Sequence, residues 1–230
     1  QGNKKSVLAE LMEAAHEVFF DLPIELDQKL KNSNIDIFRV YSLKSSLLVS
    51  FAVALGIVDF QYLKDLYHLP FFFNIGLKQP LSYNHVEALK YEWSNKGAAL
   101  EYLKQNNVND IEINIFKNNT IKSLEIYKKY YHSKRMSNGI FQIFSKFQER
   151  PNGQGLSQGL KYNELSDIES LVVYVAENFG IQDINPTKND YLNKLNTRLL
   201  EKSTLSKRLR IILEDVFNEL DEAEELLLGA

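Results

Sequence analysis

The stretch that decides the fold is VYSLKSSLLVSFAVALGIV, which occupies residues 40–58. Its apolar side chains recur at steps of three and four residues, as they do on one face of a helix. They are Leu43, Leu47, Leu48, Phe51, Ala54 and Leu55. The most apolar part, residues 47–58, is shorter than the roughly 20 apolar residues that a bilayer span requires. Gly56 is well placed to end the helix, because glycine readily adopts the left-handed conformation. The stretch therefore predicts a buried core helix.

Helical spacing of apolar residues recurs on both sides of this stretch. The further segments are 7–19, 60–66, 84–105, 124–147 and 167–179. Asp59 is placed to cap the helix that follows it, and Pro70 interrupts that helix. The sequence therefore predicts an all-α fold, arranged as a helical bundle.

Two short regions interrupt this pattern. In the first, two kinds of local structure are open, and the second predicts a loop. The stretch IEINI, residues 111–115, alternates between apolar and polar side chains. That pattern fits a strand, or equally the front of a helix that continues through Phe116. The Asn, Lys and Thr residues over 117–123 predict a loop.

The end of the chain carries one long apolar seam. Its members stand at steps of three and four residues: Leu205, Leu209, Ile212, Val216, Leu220, Ala223 and Leu227. The spacing predicts a terminal helix that docks on the domain or on a second copy of the chain. Leu209, Val216 and Leu220 are therefore candidate interaction residues for a homodimer.

Composition restricts the class of protein. Of 230 residues, 44% are hydrophobic and 25% are charged, which is ordinary for a globular chain and excludes a disordered one. The 10 glycines and 5 prolines are few, which favours helices over a many-stranded fold. The absence of cysteine excludes disulfides and thiolate metal sites. A formal net charge of -3 provides no field that would recruit nucleic acid.

No targeting or membrane segment is evident in the sequence. The start, Gln1-Gly2-Asn3-Lys4-Lys5, leads into an amphipathic stretch and not into the apolar core of a signal peptide. We therefore expect a cytoplasmic protein that does not bind membranes. The missing initiator Met suggests a piece cut from a longer protein.

Three further segments follow the 40–57 stretch in order: LPFFFNIGL at 69–77, FQERPNGQGLSQGL at 147–160 and VYVAENF at 173–179. Together the four segments resemble the HD-GYP domain, a family of bacterial metal-dependent phosphodiesterases that hydrolyse cyclic di-GMP. The 147–160 segment is the most specific of them. Its residues that match the family at the correct spacings are Glu149, Gly153, Gly155, Gly159 and Leu160.

The resemblance implies three parts in the chain. They are an N-terminal helical segment over 1–35, a degenerate HD-GYP-like domain over 36–185 and a C-terminal helical extension over 186–230. The spacing between Gly97 and Phe147 is longer than in the family, which indicates an insertion at about 117–140.

The metal-ligand positions of the family carry other groups in this chain. The residues at those positions are Val40 (or its neighbour Tyr41), Phe73, Asn74, Trp93, Phe147, Gln148 and Glu177. Three of these positions carry aromatic or large apolar groups with no lone pair to donate, and neutral amides are poor ligands for a divalent ion. The resemblance therefore implies a domain without a metal cofactor that has lost the catalysis of the family.

This reasoning predicts a catalytically inactive regulatory or scaffolding module in bacterial signalling. The resemblance implies a protein partner, either a diguanylate cyclase domain or an upstream receiver domain. It also implies contact residues in the Gly-rich loop, namely Gly153, Gly155 and Leu156. We expect neither a cofactor nor nucleic acid to bind.

An enzyme remains the alternative. A phosphodiesterase with a rebuilt site could use Glu149 and Glu177 together with His68 or His85, although the four histidines of the chain form no metal-ligand spacing. A further alternative is a sensor whose pocket still binds a nucleotide. Metal content and turnover of cyclic di-GMP would separate these classes.

One basic and aromatic stretch, YKKYYHSKR at 127–135, could stack bases or pair with phosphates. The interpretation that we favour is an amphipathic helix whose tyrosines pack and whose lysines face solvent.

Overall fold

The computed structural model describes only part of the chain. The described residues are 14–19, 35–77, 84–85, 88, 96–131, 136–149, 153, 155, 157–178, 209, 211, 214–215 and 218. Every element of regular structure among them is a helix, which confirms the predicted all-α class. None of the helices in these ranges is both long enough and apolar enough to cross a bilayer.

In the described ranges, seven α-helices with given bounds follow a short helical segment at 14–19. They are α1 (Ile35–Ala54), α2 (Phe60–His68), α3 (Lys96–Gln105), α4 (Asp110–Lys117), α5 (Asn119–Tyr131), α6 (Ile140–Phe144) and α7 (Asp167–Asn178). Two turns of 3-10 helix complete the described elements, Leu69–Phe72 after α2 and Tyr162–Glu164 before α7. The remainder of the predicted helices at 7–19 and 84–105 lies outside the described residues.

Helix α1 is the centre of the bundle, as its sequence predicts. All of its residues from 40 to 49 are buried, because α2, the Leu69–Phe72 turn and α7 pack around it. The hydroxyls of Ser45 and Ser46 donate to the carbonyl oxygens of Tyr41 and Ser42 at 2.9 and 3.0 Å, so these buried side chains are satisfied within the helix.

The predicted end of α1 and the predicted start of α2 are confirmed. Gly56 has φ +88°, its N–H donates to Val53 O at 2.8 Å, and Ile57 N–H donates to Ala52 O at 3.0 Å. These two bonds close the last turn of α1 in the way that a glycine just past a helix end permits. The Asp59 carboxylate accepts a hydrogen bond from Tyr62 N–H at 2.7 Å and caps α2.

The stretch at 111–115 is helical, and the alternative of a strand is wrong. Asn109 caps α4 by accepting a hydrogen bond from Glu112 N–H at 2.9 Å, which starts the helix just before the isoleucines. Of these isoleucines, Ile113 is buried while Ile111 is exposed, as expected on a helix surface.

The predicted loop at 117–123 is also wrong. Helix α4 ends at Lys117 and α5 begins at Asn119, so that Asn118 alone separates them. The Asn118 side chain donates to Asn114 O at 2.9 Å and covers the end of α4. Polar residues that suggest a loop by composition here lie inside the fold, since Asn119 and Ser123 are fully buried.

The described apolar side chains form two separate clusters. The larger joins α1, α2, α5, α6 and α7, and it includes Leu209 from the end of the chain. The smaller consists of Leu77, Ala88, Ala99, Leu103, Ile113 and Phe116 and lies mainly between α3 and α4.

The helical segment at 14–19 is docked on α2. The His16 Nδ1 atom lies 3.0 Å from the Tyr67 hydroxyl, and His68 Nε2 donates to the carbonyl oxygen of Phe19 at 3.1 Å. The ring of Phe19 also contacts Phe60, with centroids 5.3 Å apart. The segment therefore belongs to the same packed body as the larger cluster.

Candidate functional site

Two of the residues that the resemblance places at metal-ligand positions meet in a stacked aromatic pair. The rings of Phe73 and Phe147 lie 4.8 Å apart between centroids with an interplanar angle of 8°. Phe144 contacts both rings, at 6.1 and 5.3 Å. The exposed fractions of Phe73 and Phe147 are 1% and 3%, so the pair is a dry part of the larger cluster. Residues that are far apart in sequence thus come together at one place.

Helix α1 supplies the third side of this place. Val40 and Tyr41 are both buried, and the Tyr41 side chain forms a hydrogen bond with Asn74. Lys44 Nζ lies 6.0 Å from the centroid of the Phe73 ring and donates to Ala176 O at 3.0 Å. A lysine at this point stabilises the carboxyl end of α7, where the last carbonyl oxygens lack partners within the helix.

The side-chain amides of Asn74 and Gln148 form hydrogen bonds with α5 instead of facing an open pocket. Asn74 Oδ1 accepts a hydrogen bond from Asn119 Nδ2 at 2.8 Å. Gln148 Oε1 accepts one from the Thr120 hydroxyl. Because amides removed from water are costly without partners, these bonds explain why Asn is tolerated at the partly buried position 74 and Gln at the buried position 148. We call Tyr41, Lys44, Phe73, Asn74, Phe147 and Gln148 the aromatic site.

Beside the aromatic site, Glu149 organises the Gly-rich loop. Its carboxylate is fully buried and accepts three backbone hydrogen bonds, from Gln158 N–H at 2.6 Å and from Gly159 and Leu160 N–H at 2.9 Å each. Lys146 Nζ donates to the Gln158 side chain at 2.5 Å and adds a second link to the same loop. Residues 158–160 therefore curl around one carboxylate.

The glycines of the loop are required by its close packing. A Cβ atom on Gly155 would lie 2.3 Å from Gln148 O and 2.5 Å from Glu149 Cα, so no side chain fits there. Gly153 and Gly159 have φ values of +75° and +77°, which favour glycine. The spacing of Glu149 and the three glycines is thus the signature of one structural unit, a role for Glu149 that the sequence analysis missed.

Other predicted site residues are not brought to this place by any described contact. Trp93, Leu156, Val216 and Leu220 lie outside the described residues. Glu177 belongs to α7, but its side chain is not among those described.

Leu209 is 1% exposed and belongs to the larger cluster, so at this position the terminal seam docks on the domain. Truncation of Leu209 would consequently destabilise the fold itself. The loss of a core side chain would then obscure any effect on self-association.

The histidines suggested for a rebuilt metal site have other surroundings. His68 contacts Phe19 O and the Tyr131 ring, whereas His85 stacks on Phe116 at 6.0 Å beside the smaller cluster. Burial lowers the pKa of the His85 imidazole, and Glu112 opposes that shift. Throughout the part of the chain that the structure describes, no three His, Cys, Asp or Glu side chains are grouped so that they could hold a metal ion.

The described part of the basic and aromatic stretch is the amphipathic helix that we favoured. Tyr127 and Tyr131 are buried in the larger cluster, while Lys128 and Lys129 are exposed on the other side of α5. Lys128 Nζ lies 5.6 Å from the centroid of the Phe141 ring, so one of the two lysines already makes a cation–π contact within the domain.

Tyr41 gives a pH-dependent test of the packing at the aromatic site. Burial raises the pKa of the Tyr41 phenol to about 12, although the hydrogen bond with Asn74 lowers it. The folded state thus holds this proton more tightly than the unfolded state, so the stabilisation is complete below pH ~10 and is lost as the pH rises towards ~12. We expect wild type to lose about 2 kcal/mol more than Tyr41→Phe between these pH values.

The measurement is the free energy of unfolding by denaturant at several pH values from 9 to 12. Other buried tyrosines, including Tyr67, also have a raised pKa and contribute equally to both proteins. Parallel losses in wild type and Tyr41→Phe would show that Tyr41 is accessible to solvent in the folded state.

Comparisons of the chain with known protein families, with curated proteins and with solved structures found no match. A function therefore has to be inferred from the motifs and contacts of the chain itself.

Proposed function

We propose that this chain is a non-catalytic, HD-GYP-like module that regulates or scaffolds bacterial cytoplasmic signalling by binding another protein. The observation that carries the proposal is the stacked pair of Phe73 and Phe147. In the family that the sequence resembles, these two positions hold metal-binding histidines. Here the same two positions are filled by rings that pack against each other.

The chemistry of the aromatic site does not suit a metal ion. Phe73 and Phe147 carry no donor atom, and the oxygen atoms of the two amides accept hydrogen bonds from Asn119 and Thr120. Removing imidazole and carboxylate groups from a buried place also removes the cost of burying them without their metal. Phenylalanine in their place adds apolar packing, which supports a change from catalysis to structure.

The Gly-rich loop supports a binding role. Glu149 holds its backbone from inside, while Gln158, Gly159 and Lys161 are exposed on its outer side. A surface loop held by a buried anchor loses little conformational freedom when a partner binds. The resemblance points to a diguanylate cyclase domain or a receiver domain as that partner.

The loss of catalysis is tested by metal analysis and a turnover assay. We expect chain purified after growth with added iron and manganese to contain far less than one metal ion per molecule and to leave cyclic di-GMP intact. Stoichiometric iron, manganese or zinc together with hydrolysis would instead support the alternative of a rebuilt phosphodiesterase. Calorimetric titration with cyclic di-GMP tests the remaining alternative, a nucleotide sensor, and we expect no binding heat.

The binding role is tested with a matched pair of charge reversals. Lys161→Glu changes the exposed side of the Gly-rich loop, and Lys104→Glu makes the same change on α3. We expect Lys161→Glu to weaken binding to a purified diguanylate cyclase or receiver domain, mainly by slowing association, while Lys104→Glu binds like wild type. Equal affinities for all three proteins would contradict a role of this loop, and absence of binding to either domain would contradict these partners.

A further inference from the structure

Asp65 places a carboxylate inside the bundle. The side chain belongs to α2 and is 1% exposed. Its Oδ1 atom accepts a hydrogen bond from Gln61 Nε2 at 2.8 Å, and its Oδ2 atom accepts one from Ser137 N–H at 2.7 Å. Because each carboxylate oxygen can accept more than one hydrogen bond, these two bonds leave room for a further donor. A buried charge is costly unless it is well supplied with donors, so a further donor at this place stabilises the fold.

The phenol of Tyr127 is buried just as completely. Its ring packs against Phe72, Phe141 and Phe144, with centroids 4.7, 5.3 and 5.1 Å apart. Within the part of the chain that the structure describes, no hydrogen-bond partner reaches the phenol oxygen of Tyr127. Buried polar groups of native proteins nearly always have a partner, either in the protein or in an ordered water, because a missing one costs free energy.

Helices α2 and α5 bring the carboxylate and the phenol to one place. Within α2, His68 lies one turn after Asp65, and residues at this spacing share a helix face. Within α5, Tyr131 lies one turn after Tyr127 in the same way. The rings of His68 and Tyr131 are 5.7 Å apart, so the two faces meet. Burial raises the pKa of the Tyr127 phenol well above its ordinary value, and Tyr131 and Asp65 add to this shift through their charges.

The start of α6 borders the same place from a third side. Ser137 N–H binds the carboxylate of Asp65. Four residues later, Phe141 packs on the ring of Tyr127. A bridge between the carboxylate and the phenol would therefore join α2 and α5 beside the segment that leads to Phe147 of the aromatic site.

We propose that one ordered water molecule binds between Asp65 and Tyr127. The phenol donates to the water oxygen and the water donates to the carboxylate, so that a single molecule satisfies both groups. The hydroxyl of Tyr131, on the same face of α5 and also buried, offers a third polar group, and buried waters make about three hydrogen bonds each. This water site goes beyond the proposed function and does not depend on it.

Tyr127→Phe removes only the hydroxyl and distinguishes a bridged phenol from one without a partner. We expect the equilibrium constant for unfolding to rise by about three- to tenfold, because a hydrogen bond is lost. If the hydroxyl had no partner, its removal would leave stability unchanged or increase it, and either result would overturn the proposal. The control is Tyr130→Phe, which removes the same group from a partly exposed position of α5 and should change the constant by less than about twofold.

A double-mutant cycle tests whether the carboxylate is the other end of the bridge. In an Asp65→Ala background, the effect of Tyr127→Phe should shrink to less than about twofold, because the acceptor of the water is gone. Equal effects of Tyr127→Phe in the two backgrounds would contradict a shared water.

A high-resolution crystal structure of the intact chain gives the direct result, whether or not Asp65→Ala folds. We expect one ordered water within about 3 Å of both Tyr127 Oη and a carboxylate oxygen of Asp65. A direct hydrogen bond between the two side chains, or a contact between them without water, would overturn the proposal.

Discussion

Replacing Phe73 by alanine is expected to lower the free energy of unfolding by about 3–5 kcal/mol. The Phe73 side chain is almost completely buried, stacks on Phe147 and also contacts Phe144. Its removal leaves a cavity that the neighbouring rings cannot fill without leaving their own positions. Denaturant unfolding followed by two spectroscopic probes gives the change and checks that unfolding remains two-state.

The control is Phe60→Ala, which removes the same group from a side chain that is 57% exposed at the start of α2. We expect this variant to lose about 1 kcal/mol or less, because its ring is mostly exposed and lies beside Phe19 at the surface. A double-mutant cycle of Phe73→Ala with Phe147→Ala should give a coupling of about 0.5–1.5 kcal/mol for the stacked pair. A similar loss for Phe73→Ala and Phe60→Ala would contradict the packing that carries the proposed function.

Replacing Glu149 by alanine is expected to cost about 2–4 kcal/mol and to release the Gly-rich loop. The substitution deprives the N–H groups of Gln158, Gly159 and Leu160 of a charged acceptor and leaves a space beneath the loop. Besides denaturant unfolding, limited trypsin digestion reports the loop directly, because Lys161 follows it. We expect cleavage after Lys161 to be much faster in Glu149→Ala than in wild type.

Two variants show whether the carboxylate itself is responsible. Glu149→Gln keeps the size of the side chain and one acceptor oxygen, which can retain the bonds from Gly159 and Leu160 N–H, but it turns an NH₂ group towards Gln158 N–H. Its loss of stability should therefore be smaller than that of Glu149→Ala. Glu125→Ala removes an exposed carboxylate from α5 and is expected to change stability by less than about 0.5 kcal/mol. A Glu149→Gln protein with wild-type stability and cleavage would show that the negative charge and the bond from Gln158 N–H contribute nothing.

The elements that the sequence predicted well depend on neighbours along the chain. The apolar pattern of 40–58, the cap at Asp59 and the glycine at Gly56 each act within one or two helical turns. All three appear in the structure where the pattern places them.

The segment at 117–123 shows why composition alone was insufficient. Asn119, Thr120 and Ser123 have the polarity of a loop, yet they are buried in α5. Their partners, Asn74, Gln148 and Gly76, come from elsewhere in the chain and satisfy the buried polar groups. No local pattern contains that information, because it arises only when the helices pack.

By itself, the sequence determined that this protein is helical. It also determined which chemical groups the side chains supply at each candidate site position. Only the tertiary structure decided that Phe73 and Phe147 stack on each other and that Glu149 turns its carboxylate towards the backbone of its own loop. The physical reason is the range of the interactions. Helix formation depends on side chains three or four residues apart in the sequence. Packing brings together groups that are far apart in the sequence, and no local pattern indicates which of them will meet.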